Sequence, residues 1–253
     1  MIAVAGVGGG GDPQRERVIT MSRARRLAST VVVAALAVTG LAACNQAPDV
    51  AVYFGDKKAV TESEVQRVWD DASAKLTDNS AMPITRQDIV SVEIFVQALR
   101  RVGQQQSLTP AAVPTTSLGP QLKMETDATF VKLVAEFQGW LNALERSATA
   151  PSAAAAPIAE ADLRDIYTRI KAAGYQETFE KFATMSDQLA QQGLGSAIKL
   201  RNDLRTQIDA MHIKINPRYT APALPLAAYP NTQVTIVDVP FGTGAVAPVI
   251  DLG

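Results

Sequence analysis

The amino-acid sequence predicts a mainly α-helical protein with a small strand pairing. Apolar residues recur at helical spacing in six segments, and helix-capping residues precede several of these segments. Strand-like apolar runs are short and lie near the two ends of this helical region. A chain of 253 residues that is 47% hydrophobic and 19% charged has the composition of a protein that folds around a core.

The first predicted elements are a strand and a capped helix. Residues 50–54 form an apolar run that ends at Gly55, which is typical of a strand. Thr61, with Glu64 three residues later, is a capping box and begins a helix that extends to about residue 78. Apolar residues recur along this helix with the helical period, so we expect one of its faces to be buried.

The second helix is predicted over residues 86–102, and Thr85 precedes it as the capping residue. It is apolar on nearly every side, which indicates either a central helix or a face that awaits a partner. Residues 107–120 are rich in helix breakers and are predicted as a loop. Residues 220–253 are predicted as a Pro-rich C-terminal tail in which 234–239 is the only strand-like run. The remaining predicted elements are helices at about 122–147, 163–170, 178–189 and 197–211, and a strand at 212–215.

The segment from Met21 to Cys44 has the three parts of a secretory signal peptide. Arginines are followed by the mostly apolar residues 30–41 and then by two alanines. The series Leu41-Ala42-Ala43-Cys44 resembles the lipobox of bacterial lipoproteins, in which the Cys sulfur receives a diacylglycerol and the chain is cleaved just before it. The alternatives are an ordinary cleaved signal or a short transmembrane anchor, with Cys44 incidental.

The lipobox implies how the chain is divided and where it is located. We expect residues 1–43 to be an upstream extension plus a signal peptide, with Met21 as the true first residue, and residues 44–49 to be a lipidated tether. Each buried CH₂ contributes about 0.8 kcal/mol, so two or more acyl chains, such as palmitate, make a stable anchor. The predicted location is the extracytoplasmic face of the cell membrane.

The order of the motifs after the tether resembles the SurA N-terminal domain family. The series Val52-Tyr-Phe-Gly55 and Val60-Thr61 are similar to the family's opening strand and helix start. The series 157–163 resembles a later helix of the family, and Ile213-Lys-Ile-Asn-Pro-Arg-Tyr219 is similar to the ending of bacterial lipoproteins with this domain. The resemblance covers residues 50–219.

The resemblance implies both a topology and a function. The opening strand at 50–54 would pair with the strand at 212–215. The domain would act as a chaperone that holds unfolded or extended polypeptides in an apolar helical groove. Members of the family often carry a parvulin-type peptidyl-prolyl isomerase domain, which usually has two active-site histidines. This chain has one, His212, so we expect no isomerase activity.

The composition argues against several other functions. One His and one Cys exclude metal motifs and catalytic arrangements that need two of either residue within one chain. The formal net charge of −1 gives no electrostatic reason to expect nucleic acid as a partner. The sequence therefore predicts no metal, no cofactor and no enzymatic activity.

Four apolar residues in the middle of the chain are candidates for client binding: Met124, Phe130, Phe137 and Trp140. Exposed Met and aromatic side chains make adaptable, non-specific apolar contacts. The alternative is that they fill the protein's own core, which helical spacing favours. Met124 and Trp140 lie off the main apolar stripe, so we expect them to be the most exposed of the four.

Two functions remain open at this point. The first is a lipid-anchored chaperone that binds unfolded polypeptides without a covalent step. The alternative is a structural or scaffold envelope lipoprotein that holds one folded partner.

Overall fold

The fold is known from a computed structural model that describes residues 49–78, 81–149, 158–229 and 234–242. The described part is mainly helical, as predicted, with eight helices and five short strands. The strands are β1 Val50–Phe54, β2 Lys57–Thr61, β3 Ile213–Ile215, β4 Ala223–Ala228 and β5 Thr235–Pro240. The helices are α1 Glu62–Ala74, α2 Arg86–Gln105, α3 Thr115–Leu122, α4 Thr129–Ala148, α5 Glu160–Ala172, α6 Phe179–Ala183, α7 Ser186–Gln191 and α8 Leu194–Asp209.

The predicted pairing of the first strand with the strand after the last helix is confirmed. β1 and β3 run antiparallel, with Val52 opposite Ile215 and Phe54 opposite Ile213. The three-stranded sheet has the order β2-β1-β3, so β1 lies in its centre. The two ends of the helical region therefore meet in one sheet.

Strand β2 was not predicted from the sequence. Its first residues, Lys57 and Lys58, are exposed at the sheet edge, so the strand lacks an apolar run. Gly55 has a φ of +63°, a backbone conformation that suits glycine, and it makes the tight turn from β1 into β2. Exposed lysines are common on edge strands because they discourage pairing with other chains.

Both predicted helix starts are confirmed in atomic detail. The Thr61 side chain accepts a hydrogen bond from the backbone N–H of Glu64, and the Glu64 carboxylate accepts one from the backbone N–H of Thr61. Thr85 and Asp88 form the same reciprocal pair at the start of α2. These side chains satisfy N–H groups that have no partner within the helix.

The helix predicted at about 122–147 is α4, which begins later, at Thr129. The last part of residues 107–120, predicted as a loop, forms α3 instead, which extends to Leu122 and ends where Lys123 adopts a left-handed φ of +55°. Pro120 and several hydroxyl residues give α3 the composition of a loop, although tertiary contacts hold it helical. The helix predicted at 178–189 is divided into two short helices, α6 and α7.

The predicted C-terminal tail is largely a β-hairpin in the described residues 220–229 and 234–242. β4 and β5 pair antiparallel, and their inward side chains are buried. Phe241 is fully buried and lies edge-on to Phe95 of α2, with ring centroids 5.0 Å apart. Arg169 of α5 forms an ion pair with Asp238 of β5 at 3.2 Å. The strand-like run at 234–239 is confirmed as β5, whereas prolines concealed the alternating apolar pattern of β4. The prolines are tolerated because the hairpin has only two strands, both of them edges.

Candidate functional site

The four residues expected to bind clients lie in the core. Met124 is 1% exposed, Phe130 3%, Phe137 5% and Trp140 6%. The expectation of exposed side chains at Met124 and Trp140 is therefore wrong: both are buried, and Met124 is the least exposed of the four. The predicted lipidation site, Cys44, lies outside the described residues.

Close packing of α4 against α2 explains why Trp140 is buried. A Cβ atom at Gly103 would lie 2.5 Å from the indole ring, so only glycine allows the ring to approach the α2 backbone this closely. Phe137 packs on Phe95 with ring centroids 5.5 Å apart. The Trp140 indole N–H donates to Glu136 Oε1 at 3.3 Å, which satisfies its polar atom.

An open groove lies along the outer face of α2, beside the end of β1. Its volume is about 460 Å³. Five of its residues follow the helical spacing i, i+4, i+7, i+8 and i+11, and the sixth is the half-buried Phe54 of β1. The lining residues are Phe54, Glu93, Gln97, Arg100, Arg101 and Gln104.

Ion pairing and hydrogen bonding hold part of the groove in place. The Arg100 Nε and Nη2 atoms donate to Glu136 Oε1 at 2.8 and 2.6 Å. Gln97 Nε2 donates to the backbone carbonyl of Ala59 in β2 at 3.0 Å, which joins the helix to the sheet edge. Arg101 and Gln104 are exposed. The groove thus has a fixed inner wall and an exposed outer rim.

Burial raises the pKa of the Glu93 carboxyl above its ordinary value. The neighbouring carboxylates of Glu64 and Glu136 add to this rise, whereas a hydrogen bond from Gln97 and the charge of Arg100 oppose it. Burial therefore makes the charged form of Glu93 energetically unfavourable in the folded protein.

The chemistry of the groove suits the binding of a polypeptide. Its lining side chains offer amide and guanidinium donors, amide and carboxylate acceptors and one aromatic ring, which together match the polar and apolar parts of a polypeptide segment. The lining residues carry no hydroxyl, thiol or imidazole, and Glu93 supplies their carboxylate. Nowhere in the described ranges do three or more His, Cys, Asp or Glu residues gather in a way that would hold a metal ion.

A second polar cluster lies at the opposite end of β1. Asn216 is the one buried polar residue of the described chain. Its Nδ2 atom donates to the Val50 carbonyl at 3.1 Å, and its backbone N–H donates to the Ala51 carbonyl at 2.9 Å. Its side-chain and backbone oxygens accept hydrogen bonds from the N–H groups of Arg218 and Tyr219. Asn216 thereby fixes the segment after β3 to the first strand.

The same segment continues to the starts of α1 and α2. The Tyr219 hydroxyl donates to Glu62 Oε2 at 2.8 Å, and Arg218 Nη1 lies 3.6 Å from Glu62 Oε1. Thr220 exchanges two hydrogen bonds with the Gln87 side chain, at 2.8 and 2.9 Å. We call Asn216, Arg218, Tyr219 and Glu62 the clasp. Partial burial is the main cause that raises the pKa of Tyr219 to about 12, and the hydrogen bond to Glu62 adds to this rise.

The sequence alone does not predict the groove. α2 is not apolar on nearly every side, because the groove residues form a polar stripe along it. Their helical spacing was a signal in the sequence, but it does not distinguish a groove from an ordinary solvated face. Phe54, which gives the groove its aromatic side, joins it only through the tertiary fold.

In the described residues, no helix is both long enough and apolar enough to cross a membrane. No family model matches the chain, and neither a curated protein nor a solved structure is significantly similar to it.

Proposed function

We propose that this chain is a lipid-anchored, extracytoplasmic protein of the chaperone class that binds unfolded or extended polypeptide segments. Cys44 would carry the acyl chains that hold it at the cell membrane, and residues 50–219 would form the SurA-like part. Binding is non-covalent, with no cofactor and no enzymatic step. The client lies in the groove along α2 instead of on the buried residues of α4.

The groove is the observation that carries this proposal. It is open to solvent, so a chain segment would enter it from the side. The half-buried ring of Phe54 offers apolar contact to a client side chain, while the exposed Arg101 and Gln104 reach its backbone carbonyls. Gln97 already binds a backbone carbonyl, that of Ala59, and so illustrates this type of contact within the groove.

The resemblance to the SurA N-terminal domain family is supported by the topology. Its motifs imply that the opening strand pairs with the strand after the last helix, and β1 and β3 pair in this way. The Asn-Pro-Arg-Tyr series at 216–219 also has a defined structural role, since it forms most of the clasp.

A second candidate function is a scaffold lipoprotein that binds one folded partner. The burial of Met124, Phe130, Phe137 and Trp140 favours it, because a non-specific holdase needs exposed apolar surface and these residues supply none. A folded partner with its own complementary polar surface would fit the mixed charges of the groove equally well.

The experiment compares groove variants with a control outside the groove, using the chain from residue 45 onward. Binding of a fluorescently labelled, permanently unfolded polypeptide is followed by anisotropy, and suppression of client aggregation by light scattering. The double variant Arg101→Glu/Gln104→Ala is expected to weaken binding by roughly tenfold, equivalent to about 1.4 kcal/mol. Arg146→Glu, at the exposed end of α4, is the control and should bind as the parent does.

Two results would count against the proposal. If the parent protein neither binds the unfolded polypeptide nor suppresses aggregation at several-fold excess, the scaffold function becomes the better account. If it binds but the groove variant binds equally well, the client site lies elsewhere. Circular dichroism of each variant checks that the fold is retained.

A further inference from the structure

We infer that the face of the body formed by Arg218, Arg86 and Trp69, beside the clasp, lies against the phospholipid headgroups, so that the α2 groove points away from the membrane. This inference rests on the proposed lipid anchor at Cys44. It adds an orientation and a membrane-contacting surface that the anchor alone does not specify.

The length of the tether is the first argument. Four residues lie between Cys44 and Asp49, and the five fully extended residue steps from one to the other span at most about 18 Å. The body begins directly at Asp49, whose backbone carbonyl accepts a hydrogen bond from the N–H of Glu62 at 2.9 Å, and Val50 is fully buried. The chain therefore has no further slack, and the face around Asp49 stays close to the lipid surface.

The residues of this face form a continuous surface. Glu62 and Trp69 lie on the same side of α1, two turns and about 10 Å apart. Arg86 lies over the Trp69 ring, with its guanidinium carbon 5.0 Å from the ring centroid, and donates to Gln66 at 2.6 Å. Arg218 is exposed and forms only a long ion pair with Glu62, at 3.6 Å.

The chemistry of this face suits a membrane interface. Trp side chains are enriched at headgroup level because their rings combine an apolar body with a polar N–H. The Arg86 and Arg218 guanidinium groups are donors that match phosphate oxygens. Trp69 is half-buried, and Arg86 is exposed beside it. The occupant we propose for this face is therefore negatively charged phospholipid.

Two elements carry the groove away from this surface. β1 runs from the tether end at Val50 to the groove residue Phe54, a length of about 14 Å. α2 begins at Arg86 beside the clasp, and the groove residues Glu93 and Gln104 lie about 10 and 27 Å further along its axis. Both elements thus connect the membrane face to the groove, which remains open to extracytoplasmic polypeptides.

The chain contains two tryptophans, and this allows a direct test. Trp140 is buried in the core, whereas Trp69 lies on the proposed membrane face. The full chain is processed in a bacterial host, purified and reconstituted into phosphatidylcholine vesicles with or without phosphatidylglycerol. Some vesicles carry a spin-labelled headgroup lipid as a fluorescence quencher. Flotation of the vesicles reports anchoring, and quenching of tryptophan emission reports orientation.

The labelled vesicles are expected to quench the emission of Trp69 and to leave that of Trp140. The total emission therefore falls by no more than the contribution of one tryptophan. Trp69→Phe should abolish this quenching and leave the unquenched emission of Trp140. Arg86→Gln should reduce quenching in vesicles that contain phosphatidylglycerol, while the control Arg146→Gln should not change it.

The outcomes separate this inference from the anchor on which it depends. A chain that floats with the vesicles but shows no quenching of Trp69 retains its anchor and overturns the orientation. Quenching that persists unchanged in Trp69→Phe overturns it as well, because the quenched ring would then be Trp140. A chain that does not float overturns the anchor, and the orientation falls with it.

Discussion

At the scale of single residues, Asn216 is the residue that holds the Val50 end of β1. It is 8% exposed, and its side chain joins β1 to the turn that follows β3. A buried carbonyl or N–H that loses its partner costs more than an average hydrogen bond contributes. The clasp therefore depends on the side-chain amide of Asn216 more than on the ion pair between Arg218 and Glu62, which is partly solvated.

Asn216→Ala is expected to lower the free energy of unfolding by about 1–3 kcal/mol, because Val50 O and Arg218 N each lose a partner. Chemical denaturation measures the change. Asn202→Ala, at an exposed position of α8, is the matched control and should change stability little. Equal effects of the two substitutions would show that the buried amide has no special role.

Glu93 makes the stability of the fold depend on pH. Burial raises the pKa of Glu93 in the folded state above its value in the unfolded state. The protonated side chain therefore stabilises the fold fully below the unfolded pKa, and this stabilisation is lost as the pH rises through the folded pKa. Glu93→Gln should therefore flatten the stability profile above about pH 4.5 and stabilise the fold at pH 7. Denaturation at a series of pH values tests this, and a lower stability of the variant at pH 7 would contradict it.

At the scale of secondary-structure elements, the contact between α2 and α4 determines which residues reach solvent. Gly103 lets the Trp140 ring lie on the α2 backbone, and a Cβ at Gly139 would meet the backbone oxygen of Ala111 at 2.5 Å. These two glycines bring α4 and its neighbours together closely enough to bury the apolar stripe that includes Phe137. The same packing turns the polar stripe of α2 outward as the wall of the groove.

Gly103→Ala is expected to destabilise the fold by about 1–3 kcal/mol through overpacking, although alanine favours a helix more than glycine does. Gln104→Ala, at the next and exposed position, is the control and should change stability by less than about 0.5 kcal/mol. In the double variant Gly103→Ala/Trp140→Leu the loss should be smaller than the sum of the two single losses, because the clash is removed. Strict additivity would show that the two side chains do not meet.

At the scale of the whole molecule, the β4–β5 hairpin completes the core instead of trailing from it. Phe241 packs on Phe95 of α2, and Gly242 lies against Ile215 of β3. Asp238 is paired with Arg169 of α5. The hairpin therefore contacts both the central helix and the sheet, so we expect it to unfold together with them.

Phe241→Ala is expected to cost about 3–5 kcal/mol, since it removes a fully buried ring. The loss should appear as one cooperative transition in which helical and tertiary signals change together. Pro225→Ala, on the exposed side of β4, is the control, with an expected change below about 0.5 kcal/mol. A variant that loses the hairpin but keeps the stability of the helices would show that the hairpin is a separate unit.

Local patterns in the sequence were sufficient for the features that depend on neighbouring residues. The capping boxes at Thr61 and Thr85 and the helical class follow from short-range spacing, and the β1–β3 pairing follows from a resemblance of motifs. The lipidation of Cys44 is also a local inference and remains a prediction. The turn-like composition of α3 and β4 predicts irregular structure, but tertiary contacts hold α3 helical and β4 extended.

Short-range patterns predict a mainly helical protein, the starts of its first two helices and the side chains that are apolar enough to be buried. The burial of Met124 and Trp140, the C-terminal hairpin and the groove beside Phe54 follow only from how distant segments pack together. Periodicity shows which face of an element is apolar, whereas burial depends on which other element covers that face. That covering element comes from distant parts of the chain, as Phe241 covers Phe95.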